Sequence, residues 1–129
     1  MLHRNAIRAY HEAEQEFLVD GADSHGLVEI LFNELIASLS IAKKGLASAD
    51  LATKSSGVSK ALTIIHVLAT SLDFDKGGEV AVSLAQLYEW SRRRIIEASR
   101  DNMIAGIEEV LHAISEIAEA WRTIALRPA

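Results

Sequence analysis

Cysteine is missing from this 129-residue chain, proline occurs once, as Pro128, and only three Phe, two Tyr and two Trp are present. Without cysteine there is no disulfide, no thiolate nucleophile and no thiolate metal site. One proline and seven glycines are too little punctuation for a fold of many short strands and tight turns. The chain has no uncharged apolar run of about 18 residues, so no membrane span is expected. The opening "MLHRNAIRAYHEAEQEF" has no apolar core stretch, unlike a secretory signal, and a cytoplasmic location is expected. Basic charge is scarce too. A formal net charge of −5 lacks the positive field that phosphate backbones demand, which argues against nucleic acid as a partner.

What is present is apolar and helical. Half of the residues are hydrophobic, and the length suits one domain with a real core. Residues 4–18 read as a short helix with sparse apolar positions, Ile7, Tyr10, Phe17 and Leu18. After "VDGADSHG", with Asp23 placed as an N-cap, residues 27–48 are helical in period but apolar nearly all round. Leu27, Ile30, Leu31 and Leu35 make one stripe, and Val28, Phe32, Ile36 and Leu39 make a second. Val58, Ala61, Ile65, Leu68 and Leu72 follow at bundle-seam spacing. A third stripe runs through Val80, Leu84, Leu87, Tyr88, Ile95 and Ala98. Asp101 is placed as a cap for the last segment, where Ile104, Ile107, Leu111, Ile114, Ala118 and Trp121 form a heptad series. Four helices of roughly 20–25 residues joined by short connections have antiparallel neighbours. The pattern predicts an all-α, up-down-up-down four-helix bundle over residues 23–125, preceded by a short N-terminal helix within residues 1–22.

Few residues form a chemical constellation. In "SLDFDKGGEVAVSL", Asp73, Asp75 and Gly78 match three positions of a calcium loop, but Gly77 and Leu84 stand where two further ligands belong. No strand precedes the two glycines and no Gly-Lys-Ser/Thr follows, so it is no phosphate cradle either. It reads as a turn, with Gly77 and Gly78 supplying backbone freedom and Glu79 near the next helix start. Glu108, His112 and Glu116 lie one turn apart but outside the apolar heptad, and they read as a solvated face rather than a metal site. Arg92, Arg93 and Arg94 fan around their helix and read as salt-bridge partners of neighbouring helices. There is no nucleophile elbow and no Ser–His–acid spacing. No catalytic residue, cofactor or metal is expected, and the chain is not read as an enzyme.

The apolar surplus is the informative feature. The two stripes of residues 28–39, the Ile64/Val67 flank, and Val110, Ile117 and Ile124 exceed what one bundle seam uses. They either widen the core, serve a structural or regulatory bundle that self-associates as a homodimer in its free state, or line a groove for a partner's amphipathic segments.

The stretches "LVEILFNELIASLSIAKKGL", "SLDFDKGGEVAVSLAQLYEWSRRRIIEAS" and "EEVLHAISEIAEAWRTI", with "AY" near the start, resemble the flagellar secretion chaperones that bind flagellin. Their Leu-Asp, Gly-Gly-Glu and Leu-Tyr spacing is the most specific element, and the resemblance runs over residues 6–124. It implies a cytoplasmic bundle that holds the disordered C-terminal segment of flagellin, prevents its early polymerisation and helps deliver it to a component of the flagellar export gate. By match, Ile7 and Tyr10 belong to an N-terminal lid over part of the groove. For the groove itself Val28, Leu31, Phe32, Leu35, Ile64, Val67 and Leu68 are the candidates, and Phe32→Asp is expected to abolish binding while sparing helicity. Where that family opens its second helix with Ser-Pro, this chain has "ADSHG".

Overall fold

The computed structural model describes residues 24–125, and all four of its regular elements are helices: α1 (Ser24–Ala47), α2 (Leu51–Thr70), α3 (Phe74–Asp101) and α4 (Ile104–Ala125). Each helix touches its sequence neighbour, and α4 returns to α1, so the four form a closed antiparallel ring around one core. The expected bundle is therefore present. The short N-terminal helix, Ile7, Tyr10 and the Asp23 cap lie outside the described residues.

The connections end and start helices by local chemistry. Ala49 takes a left-handed conformation (φ 54°) after α1, and the Asp50 amide returns to the Gly45 carbonyl at 2.9 Å. The Asp50 carboxylate then accepts from the Thr53 amide at 3.1 Å and its hydroxyl at 2.8 Å, capping α2. Those two bonds hold its carboxyl below the usual range. Asp73 caps α3 in the same way, accepting from the Lys76 amide at 3.0 Å. Read as a turn ahead of a helix near Glu79, "DFDKGG" instead opens the helix: only Asp73 lies outside it, and of the two glycines only Gly78 uses its backbone freedom. Within it Gly78 has φ 51° and ψ −126°, which L side chains rarely adopt, so a single turn at 74–77 is kinked away from the long body of α3. At the far end Asp101 does not cap α4. It is the last residue of α3, paired with Arg100 at 3.0 Å, and the left-handed Asn102 (φ 53°, ψ 46°) closes the helix.

The core is built where the stripes meet. Phe32, Leu35 and Leu39 of α1, Ala61, Ile65 and Leu68 of α2, Tyr88, Ile95 and Ala98 of α3, and Ile107, Val110, Ile114 and Ala118 of α4 are all buried in one cluster. The all-round apolarity of α1 is explained by its position: it packs against α2 on one side and α4 on the other. By length and composition alone residues 25–47 would also suffice to cross a bilayer, but here α1 supplies its buried positions to the bundle core.

Two glycines bring α1 and α2 together backbone to backbone. A Cβ added at Gly57 would lie 2.5 Å from the Ala42 nitrogen and 2.7 Å from the Ser38 carbonyl oxygen. Gly45 is in equally close approach to the backbone of Thr53 and Lys54. Ion pairs then tie the helices from outside: Glu34–Lys60 across α1–α2, Lys43–Glu108 across α1–α4 and Arg94–Glu109 across α3–α4. Such exposed pairs fix register more than they stabilise.

Candidate partner-binding groove

At the end of the bundle where α2 hands over to α3, the helices leave an apolar cavity of about 280 Å³. Val28 of α1, Leu68 and Leu72 at the end of α2, Val80, Ala81, Leu84 and Tyr88 of α3, and Trp121 of α4 line it, with Asp73 and Lys76 at its polar edge. The kink at Gly78 sets this mouth, because it turns the 74–77 segment off the axis of α3 just before Val80. Around the side of α3, Val80 and Leu84 also line a groove of about 550 Å³ with Leu87 and, on α4, Ile117. Glu79 and Glu116 stand at that groove's edge, the latter 3.1 Å from His112. The two depressions therefore lie side by side over the first turns of α3 proper, with Val80 and Leu84 lining both. Val80, shared by both, is 64% exposed and Phe74 is 53% exposed, which is costly surface for residues of their size.

Two walls of the cavity are aromatic. Tyr88 is almost fully buried, and burial pushes its phenol well above the ordinary tyrosine range, so it stays neutral. Trp121 is clamped from α1. Its indole N–H donates to the His25 carbonyl at 2.9 Å, and His25 Nε2 donates to the Trp121 carbonyl at 2.8 Å. The two rings stack with centroids 4.2 Å apart and 6° between planes, while Phe32 meets the indole edge-on at 6.1 Å.

The structure places the sequence candidates unevenly. Val28 and Leu68 line the cavity. Leu31 is half-buried against the core, and Ile64 and Val67 are buried in the flank of α2. Phe32 and Leu35 have no exposed surface and sit in the centre of the core, where a charge would dismantle the bundle. The expectation that Phe32→Asp spares helicity is corrected on that ground. Most of the apolar surplus, Ile64, Val67 and Val110 included, closes the core. The residues that do line the open groove, Val80, Leu84, Leu87 and Ile117, were read as seam or surplus. Their signal is the position of Val80 and Leu84 immediately after the glycine kink, where α3 has not yet closed onto α4.

The remaining polar clusters are structural. Arg94 makes a two-pronged pair with Glu109 at 2.9 and 3.1 Å, as expected for a bridge between helices, but Arg92 and Arg93 both turn to Glu89 on their own helix. Glu108 pairs with Lys43 and His112 with Glu116. Among the described residues no group of three His, Asp or Glu side chains is placed to hold a metal ion.

Comparison with known proteins gives this geometry a context. Residues 5–128 match the family model described as flagellar protein FliS. The flagellar secretion chaperone FliS of Salmonella typhimurium is 39% identical over 121 residues, spanning 93% of this chain and 90% of the relative. Those of Escherichia coli K12 (31% over 122 residues; 94% and 90%) and Vibrio cholerae (29% over 121 residues; 94% and 89%) are similar over the same extent.

Proposed function

Given that the chain belongs to the FliS family of flagellar proteins, we propose that it is a non-enzymatic, cytoplasmic chaperone of flagellar export that binds the C-terminal segment of flagellin. Flagellin's terminal helices have apolar faces that the filament buries. Before export those faces need a temporary cover, without which the subunits polymerise early. A helix laid over an apolar path buries its stripe and is released without a chemical step, which suits handover to the export gate.

The observation that carries this reading is the pair of adjacent apolar depressions over the start of α3, the cavity lined by Val28, Leu68 and Trp121 and the groove lined by Leu87 and Ile117, which share Val80 and Leu84. An ordered bundle that leaves Val80 mostly exposed beside two apolar depressions offers a preformed seat, so only the partner pays the ordering entropy. Ile7 and Tyr10 belong to this proposal as the lid segment.

Calorimetric titration with a peptide of the last forty or so residues of a flagellin tests it. Saturable 1:1 binding with a negative heat-capacity change is expected, and Val80→Asp, a change at an exposed position, should weaken it at least tenfold with helicity unchanged. No heat at any temperature with a soluble peptide, or full affinity in Val80→Asp, rejects the proposal. A stable dimer that covers these depressions in the free protein would favour self-association instead.

A further inference from the structure

Three glutamates lie on α3 and four on α4, and their pairing divides along one line. Glu89, Glu97, Glu108, Glu109 and Glu119 each have a lysine or arginine nitrogen between 2.8 and 3.4 Å away. Glu79 and Glu116 have none among the described residues, and these two are the glutamates that line the groove between α3 and α4. Glu116 pairs with His112, at 3.1 Å on its own helix, and keeps 69% of its side chain exposed. Lys76, three residues before Glu79, would be its neighbour on an unbroken helix. The non-helical Gly78 stands between them, and Lys76 lines the adjoining cavity instead. The other residues of the groove, Val80, Ser83, Leu84, Leu87 and Ile117, carry no charge. Its floor is therefore apolar, and its edges hold two carboxylates with no lysine or arginine to offset them.

We propose that Glu79 and Glu116 determine which segment this groove accepts: a helix whose apolar stripe is bordered on each side by a basic side chain, the two about two turns apart. The proposal deepens the reading of the groove as part of the seat for the flagellin C-terminal segment, and it rests on that reading for the identity of the occupant.

The spacing follows from the register of the two helices. Arg94 donates to Glu109 across the antiparallel pair. Seven residues back along α3 and seven forward along α4 bring Leu87 level with Glu116, and both line the groove. Glu79 lies eight residues before Leu87, which is about 12 Å along the axis at 1.5 Å per residue. A helix laid along the groove covers that distance in about two turns, with its apolar stripe on Val80, Leu84, Leu87 and Ile117. The two acids stand on opposite helices, so each meets a different border of the stripe. Being exposed, they add little raw affinity; they attract a basic segment and repel an acidic one of the same apolar pattern.

Calorimetric titration of the full chain with the flagellin C-terminal peptide tests this. The parent is compared with Glu79→Gln/Glu116→Gln and with Glu34→Gln/Glu89→Gln, which makes the same charge change away from the groove; circular dichroism confirms that each is folded. The groove variant should bind about three- to tenfold more weakly at low salt and show a flatter salt dependence, while the control stays within about twofold. Unchanged affinity in the groove variant, or an equal loss in the control, overturns the proposal. If the flagellin peptide does not bind to any of the chains, the flagellin reading fails and the charge selection is decided separately. Two synthetic helical peptides then share one leucine stripe, bordered by lysines in the first and glutamates in the second. The parent should bind the lysine peptide at least about tenfold tighter, and the groove variant should lose most of that preference. Equal binding of the two peptides, or binding of neither, overturns the proposal.

Discussion

Gly57 lies in the interior of α2, where intrinsic propensity favours alanine by about 0.8–1 kcal/mol. Gly57→Ala would therefore stabilise the protein if the glycine were there by accident. The structure predicts the opposite sign. The new Cβ would meet three backbone atoms, Ala42 N at 2.5 Å, the Ser38 carbonyl oxygen at 2.7 Å and Ala42 Cα at 2.9 Å, where ordinary contact begins at 3.4 Å. None of these is a side chain that can swing away. The two helices would have to separate by about 1 Å, and a gap of that size forfeits a quarter to a half of each dispersion contact along the seam. Overpacking of this kind costs about 1–3 kcal/mol. With only backbone able to move, the upper end of that range applies, and after the gain in propensity a net loss of about 2 kcal/mol remains. Urea unfolding followed by far-UV circular dichroism reads it as a lower midpoint at an unchanged slope. A midpoint equal to or above that of the parent chain refutes the reasoning, because it would mean that α1 and α2 are not in backbone contact.

Two further outcomes follow from buried and paired polar groups. The Ser91 hydroxyl is fully buried with no hydrogen-bond partner among the described residues, whereas Ser38 returns its proton to the Glu34 carbonyl at 2.8 Å; Ser91→Ala should therefore stabilise the bundle by about 1 kcal/mol in the same urea assay, and a loss would contradict the orphan geometry. The Arg94 guanidinium donates to Glu109 and holds that carboxyl below its ordinary value of 4.5. A group with a depressed folded-state pKa stabilises above its unfolded value and loses that contribution as the pH falls through the folded one, so a double-mutant cycle of Arg94→Ala and Glu109→Ala should show a small, salt-screened coupling at pH 7 that declines as the pH is lowered beneath the ordinary carboxylate value of 4.5. A coupling unchanged at pH 3 would rule out the carboxylate as its source.

How far the sequence spoke depended on contrast. The 3-4 spacing from Val58 to Leu68 and the heptad series from Ile107 to Ala118 are regular, and Ala61, Ile65, Leu68, Ile107, Ile114 and Ala118 are buried as that spacing predicts, with Val58 and Leu111 half-buried. Residues 27–42 offer no such single series. With apolar side chains on most faces, nothing in the pattern separates Phe32, which holds the centre, from Ile30, which is 39% exposed. That is why the groove candidates included core residues. The break in the pattern at 73–78 was readable because glycine freedom acts over three or four residues, but the Asp73 cap that starts α3 at Phe74 was not read. The backbone contact at Gly45 and Gly57 was not, since a glycine in a small, polar stretch looks like a linker until its partner helix is in place. His25 was one scattered histidine among five for a related reason: its partner lies 96 positions away.

The glycine seam also bears on the route by which the chain reaches this shape. Loop-closure entropy rises with the length of chain between two points before contact. The α1–α2 seam joins points separated only by one tight turn and the helix ends flanking it. The His25–Trp121 clamp closes across 96 residues and has nothing to grip until α4 is complete. The hairpin is thus far less costly to close than the clamp, and the ring around it is sealed late, at the place where the proposed partner's seat takes its final wall.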